Sequence, residues 1–193
     1  MTGGRDFGRI QFTFFQPERQ NMTEADLDRL IQEYRNGIRE LFDKDSPRVV
    51  GNSSPRHAAV LIEEIAAHAE KTFVAFAERM NTAVWTPAVM AALAKAVARG
   101  VDVRLLVERE CAPIKDGSMP ESVRKCVRRL GGESVGNPLN VPHCASGDGK
   151  SLRVETDPKD KSAVFSANNP EMASKIGAVF DILYKEGVAL DAA

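Results

Sequence analysis

Four residues with metal-ligand or nucleophile chemistry, Cys111, Cys126, His143 and Cys144, lie between positions 111 and 144 and include every cysteine of the chain. Three thiolates and one imidazole would satisfy a tetrahedral zinc ion. The spacing is not that of a zinc module, because there is no C-x2-C pair and adjacent His143-Cys144 is an awkward arrangement for two ligands to one ion. The alternative reading makes the cysteines small buried hydrophobes and His143 a loop residue. Cys144 beside His143 also raises a thiol nucleophile, but a catalytic base normally arrives from elsewhere in the fold. No metal and no cofactor are expected.

Charge offers a second kind of chemistry. Lys115, Arg124, Lys125, Arg128 and Arg129 form a basic cluster, read either as a solvated helix face or as a contact for phosphate or nucleic acid. Aromatic residues are not interleaved with it, as they would be on a surface that stacks bases. Gly147-Asp148-Gly149 reads as a turn rather than a phosphate loop.

These residues need a scaffold, and residues 84–110 supply its clearest piece. Thr86 caps a helix with Pro87 at its first position, and Ala-rich sequence follows to Arg99. Gly100 closes the helix, and Val101, Val103, Leu105 and Val107 alternate as a strand does. Trp85 either anchors that helix on the core or lines a pocket at the strand-to-helix crossing. Upstream, the pattern predicts a short strand at 10–15, an amphipathic helix from about 23 to 44, a short strand at 48–50, a helix at 56–71 and a buried strand at 72–76. Downstream it predicts a helix over 121–130, a short strand at 133–135, turn-rich sequence at 136–149, strands at 151–155 and 162–166, and a final helix from 170 to about 185. Alternation of this kind predicts an α/β domain with a mixed, mostly parallel sheet flanked by helices.

The chain has 193 residues, 43% apolar and 27% charged, with a formal net charge of -1. That is an ordinary globular composition, and it excludes a surface that is basic overall. Three cysteines do not suggest a disulfide framework, and no secretory signal or stretch long enough to span a bilayer is visible. The expectation is a cytoplasmic protein with no membrane partner. Phe12, Phe14 and Phe15 need covering, by the core or by a partner.

Trp85-Thr-Pro87, the Ala-rich helix, and Arg99-Gly-Val-Asp-Val-Arg-Leu-Leu-Val-Glu108 together resemble the phospholipase D-like fold, over about residues 48–187. On that resemblance residues 1–47 are an appended strand and helix, and residues 48–193 are the α/β domain. The family's chemistry uses a His-x-Lys-x4-Asp motif followed by Gly-Ser-x-Asn, the histidine attacking phosphorus and the lysine binding phosphate. No histidine here fits, because Ala59, Glu70 and Ala145 stand two residues after His57, His68 and His143. On the family spacing, Lys150 takes the histidine position, Leu152 the lysine position, and Asp157 remains. Ser166-Ala-Asn168 matches the tail of Gly-Ser-x-Asn one residue late, with Phe165 in place of glycine.

Lysine is a poor substitute for an imidazole that must be nucleophile and acid in turn, and leucine removes the phosphate cation. The resemblance therefore implies a degenerate, non-catalytic member, an interaction or sensing module with a regulatory role in a bacterial protein complex. Family members pair two units face to face, which implies a homodimer or another protein partner. The alternative is a nucleic-acid-binding protein or phosphodiesterase with a remodelled cleft, lined by Lys150, Asp157, Ser166, Asn168, Trp85, Arg128 and Arg129.

Overall fold

The computed structural model describes residues 22–52, 54–109, 111–130, 141–157 and 162–189. Helix α1, Glu24–Asp43, opens on a capping box in which the Asp26 N–H donates to Thr23 Oγ1 and the Thr23 N–H donates back to the Asp26 carboxylate. Strand β1 (Val49–Asn52) leads to α2 (Pro55–His68), capped by Ser54, and then to β2 (Thr72–Ala77). Thr86 caps α3 (Pro87–Ala98), with Pro87 in the first turn, as the sequence predicts. Gly100 adopts φ of 85°, a left-handed conformation open to glycine at little cost, and turns the chain into β3 (Asp102–Val107).

Two single-turn helices, α4 (Ala112–Lys115) and α5 (Glu121–Arg124), precede β4 (Val127–Arg129). Strands β5 (Cys144–Gly147), β6 (Ser151–Asp157) and β7 (Ser162–Ser166) form a meander, followed by α6 (Pro170–Glu186) and a two-residue β8 (Val188–Ala189).

All eight described strands join one sheet in the order β1-β7-β6-β5-β2-β3-β4-β8. The sheet is mixed, as expected, but its pairings are not mostly parallel. Among the described strands, only β2–β3 and β3–β4 pair in parallel, and the other five pairings are antiparallel. The reason is the β5–β6–β7 meander, which inserts beside β2 and pushes β1 to the sheet edge against β7. Helices α1, α2 and α3 cover one face, over a core that includes Phe73, Leu105, Ile65 and Leu93. Helix α6 covers the other, over Val74, Phe76, Leu106 and Leu152.

Two predicted elements come out differently. The helix expected over 121–130 stops at Arg124, and Val127–Arg129 become β4, with Val127 paired to Leu105. Val123, Val127 and Leu130 fit a helical stripe, but the open edge of β3 captures the segment, and tertiary pairing overrides local propensity. Strand β5 falls where only turns are expected, because Cys144-Ala-Ser-Gly147 lacks the bulky residues that mark a strand. Small residues are needed there: a Cβ on Gly147 would stand 2.9 Å from Ser151 Oγ and 3.1 Å from Ile65 Cγ2 of α2. The strands expected at 10–15 and 133–135, and Phe12, Phe14 and Phe15, lie outside the described residues.

Helix α1 docks with Ile38 in the core and with charge pairs and ring stacking onto α2. Arg35 pairs with Glu63 (2.8 Å) and Glu64 (2.7 Å), and Arg39 reaches Glu64 at 3.0 Å. Tyr34 stacks on His57 and Phe42 on His68, at 4.1 and 4.2 Å between ring centroids. Among the described residues, no helix is long and apolar enough to cross a membrane.

Candidate functional site

Strands β2 and β3 end together at Ala77 and Val107, β1 ends at Asn52 on the same edge, and α2 opens there at Pro55, while α3 opens at Pro87 after the loop 78–86 that leaves β2. Carboxyl ends of parallel strands facing helix amino termini are where α/β folds place their ligands. The sheet's last row here runs Asn52, Ala163, Glu155, with Asn52 paired to Ala163 and Ala163 to Glu155.

His143 occupies this edge just before β5. The Glu155 N–H donates to the His143 carbonyl (2.8 Å), which sets the two side chains next to each other. The His143 Nδ1 lies 2.6 Å from Glu155 Oε2, and Nε2 lies 3.8 Å from Glu108 Oε1. The ring also meets Phe76 edge-on at 5.8 Å. Both ring nitrogens therefore face carboxylates. Glu78 adds a third carboxylate nearby in sequence to the β2 terminus, held by Arg109 at 3.5 Å and Arg79 at 3.8 Å. A nucleophilic Nε2 would have to meet an incoming phosphate past Glu108, against electrostatic repulsion.

Beneath this edge, on the face covered by α1 and α2, lie polar groups with no partner among the described residues. Arg153 stands two residues before Glu155 on β6, in the row Val50–Phe165–Arg153. Its Nε is buried with no hydrogen bond, as are the Tyr34 hydroxyl and both side-chain atoms of Asn52. Burial pushes the Arg153 guanidinium below its ordinary range, opposed by the nearby Glu155 charge. Burial likewise raises the Tyr34 hydroxyl and lowers His57, which stacks on it.

The residues singled out from the sequence do not gather into one cleft. Lys150 sits in the β5–β6 turn at the opposite end of the sheet, where its ammonium pairs with Asp45. Asn168 is beside it, its Nδ2 donating to the Asp45 carboxylate at 3.0 Å. Asp157 ends β6 at the His143 edge, six strand residues beyond Ser151, or roughly 20 Å away. Ser166 is buried in the row that contains Leu152, on the α6 face, its Oγ unpartnered. Trp85 is 4% exposed and belongs to the core under α2 and α3, the anchoring role of its two readings.

Arg128 lies flat on Tyr184, 4.4 Å from the ring centroid, and donates to the Tyr184 carbonyl at 2.9 Å, so it braces α6. Arg129 is exposed on β4. Cys111 packs in the core on the α2–α3 face and Cys144 in the core on the α6 face, so the sheet separates them. The Cys126 thiol donates to the Ser122 carbonyl, and the described residues hold no metal-ligating group of three. Burial pushes the Cys144 thiol up to about 12, which removes the thiolate a nucleophile needs.

Sequence reasoning missed the His143–Glu155 pair and the role of Asp148. The first is a long-range contact whose only local signal was the histidine itself. The Asp148 carboxylate, in a left-handed turn residue with φ of 53°, accepts the N–H groups of Glu70 (2.9 Å), Lys71 (2.8 Å) and Thr72 (2.8 Å). It ties the β5–β6 turn to the start of β2.

No protein-family model matches the chain, and no curated protein does. Solved structures do resemble it. Nuc, a phospholipase D family member from Salmonella typhimurium, aligns with a TM-score of 0.51 and 18% identity over 74% of this chain and 97% of its own. NucT from Helicobacter pylori aligns at 0.51 and 11% identity over 74% of this chain and 100% of its own. TrmBL2, an archaeal chromatin protein described as showing a novel mode of DNA binding, aligns at 0.52 and 13% identity over 91% of this chain and 76% of its own. The eight-stranded mixed sheet, its flanking helices and these likenesses agree: the chain has the phospholipase D-like fold.

Proposed function

We propose that this chain is a non-catalytic phospholipase D-like module that binds a ligand or a partner and acts in regulation. One observation carries the reading. The histidine at the carboxyl edge of the sheet is flanked by Glu155 and Glu108, and the residue two positions on, where the family motif has its phosphate-binding lysine, is buried Ala145. Phosphodiester attack needs cations around the reacting phosphate, and this edge presents carboxylates to it. The division into an appended segment at 1–47 and a domain at 48–193, pairing as a homodimer or with another protein, and a cytoplasmic, bacterial setting belong to the same proposal.

The test is turnover of bis-p-nitrophenyl phosphate, plasmid DNA and phospholipid by the full chain in the presence of a chelator. The expected rate equals that of His143→Ala. Metal-independent turnover that His143→Ala abolishes would overturn the reading.

A second reading, contact with nucleic acid, draws on the DNA-binding archaeal neighbour and on exposed Arg124, Lys125 and Arg129. Lys125 already pairs with Glu121, and Arg128 with Tyr184, which reduces the charge left for phosphates. Salt-dependent retardation of DNA or RNA, weakened in Arg129→Ala, supports it. No shift at low salt ends it.

A further inference from the structure

The unpartnered groups beneath α1 and α2 have a common chemistry. Asn52 is 6% exposed, with neither its amide nitrogen nor its carbonyl oxygen hydrogen-bonded. The Arg153 Nε–H and the Tyr34 hydroxyl are buried and unpartnered as well. Asn52 and Arg153 point to the same face of the sheet, since Asn52 follows Val50 by two and Val50 shares a row with Arg153 through Phe165. Tyr34 and His57 stack where α1 crosses α2 over that face, and the Arg153 charge acts on Tyr34.

Each such group costs free energy when left without a partner, and a guanidinium costs most. Glu155, the carboxylate whose charge acts on Arg153, is already committed to His143 at 2.6 Å. These three groups on one face lack partners among the described residues, while Arg35 of α1 is paired with Glu63 and Glu64 of α2.

We infer that Tyr34, Asn52 and Arg153 form a binding site for a small oxyanion that also carries a hydroxyl. Arg153 Nε–H and Asn52 Nδ2–H donate to the anionic oxygens. Asn52 Oδ1 accepts from the ligand hydroxyl, and Tyr34 turns its O–H toward whichever oxygen remains. The hydroxyl is required because Asn52 Oδ1 needs a donor, which a fully ionised sulfate or an acetate does not offer. The amino end of α2, two residues beyond Asn52, adds positive potential on the same side. Hydrogen phosphate and short 2-hydroxycarboxylates share this chemistry. The site rests on the reading of the chain as a non-catalytic ligand-binding module, and it supplies that reading's ligand class.

Isothermal titration of the full chain with inorganic phosphate and with lactate, against sulfate and acetate as controls, tests it. One equivalent of phosphate or lactate should bind, and each should bind at least about tenfold more tightly than its control, a factor that corresponds to one well-made hydrogen bond. The stronger of the two identifies the source of the anion. Arg153→Met should abolish binding. Tyr34→Phe, which keeps the stack on His57, should weaken it about fivefold. Asn52→Leu should abolish binding and also raise the melting temperature of the ligand-free chain, because it removes two orphaned polar atoms.

If Arg153→Met does not fold, the Tyr34→Phe and Asn52→Leu variants decide. Absence of binding by wild type, equal binding of the controls, or binding unchanged in Tyr34→Phe and Asn52→Leu overturns the site. None of these results bears on turnover at His143. Metal-independent hydrolysis would instead overturn the functional reading whatever these three groups bind.

Discussion

The two ends of the sheet treat polar groups in opposite ways. At the end that carries the β5–β6 turn, the charged and amide side chains have partners, with the buried Ser166 hydroxyl the exception: Asp148 takes three backbone N–H groups, and Lys150 and Asn168 both bind Asp45. At the His143 end, carboxylates crowd an imidazole, and Arg153, Asn52 and Tyr34 lie buried and unpaired. Buried polar groups are normally satisfied, so a cluster of exceptions marks a place where something other than stability has been selected. The first end holds the fold together, and the second is the place to look for function.

The largest expected effect comes from removing the clamp that keeps α1 over the unpaired groups. Glu64 is 1% exposed and receives both Arg35 and Arg39. Glu64→Ala strands Arg35, whose remaining partner is Glu63, and should cost about 3 kcal/mol, the low side of what breaking a buried ion pair costs. Chemical denaturation measures it. Hydrogen exchange should show α1 opening first, with the Asp148 turn still protected. Equal loss of protection at both ends would erase the distinction between them.

Asp148→Ala strikes the satisfied end directly. Three backbone N–H groups lose a charged acceptor, and the turn residue keeps its left-handed conformation without the short polar side chain that eases it. Allowing for partial exposure of the carboxylate, the expected loss is about 2 kcal/mol, read as a lower denaturation midpoint at unchanged slope. Tyr34→Phe is the matching change at the other end, and its sign should differ. Deleting a hydroxyl that has no partner leaves stability unchanged or raises it by up to about 1 kcal/mol. A loss larger than about 1 kcal/mol would show that the hydroxyl is satisfied in the ligand-free chain.

How much of this was legible beforehand follows the range of the interactions. The α3–Gly100–β3 unit could be read because cap, proline, glycine and alternation all lie within one stretch. Strand β5 could not, because its small residues answer to α2 crossing overhead, about eighty positions earlier in the chain. The basic residues 124–129 looked helical until the edge of β3 was there to pair with them. Asp148 read as an ordinary turn because its three partners lie more than 70 residues upstream.

The candidate site suffered most. Motif spacing drew attention to Lys150 and Asp157 as one group, yet a whole strand separates them. The residues that do meet, His143 with Glu155 and Glu108, and Tyr34 with His57, come from separate elements. The absence of a lysine two residues after any histidine was readable, and with the carboxylates flanking His143 it is the observation on which the functional proposal rests.

The smallest effect separates the two ends by pH. Burial holds His57 below its ordinary value near 6.5, so the unfolded chain takes up this proton before the folded chain does. The stability this contributes is complete above about pH 6.5 and falls as pH drops below it. At the other end, burial raises the Asp148 carboxyl, but its three backbone N–H donors outweigh burial and hold it below the usual carboxylate range. Its contribution is complete above about pH 4 and is lost as pH falls through the folded value. A stability profile should therefore descend in two steps, the His57 step first. His57→Phe, which keeps an aromatic ring on Tyr34, should remove the upper step and leave the lower one, and Asp148→Asn should do the reverse. A single acid transition, unchanged by His57→Phe, would mean that His57 titrates alike in both states and that the face under α1 is wetter than its burial implies.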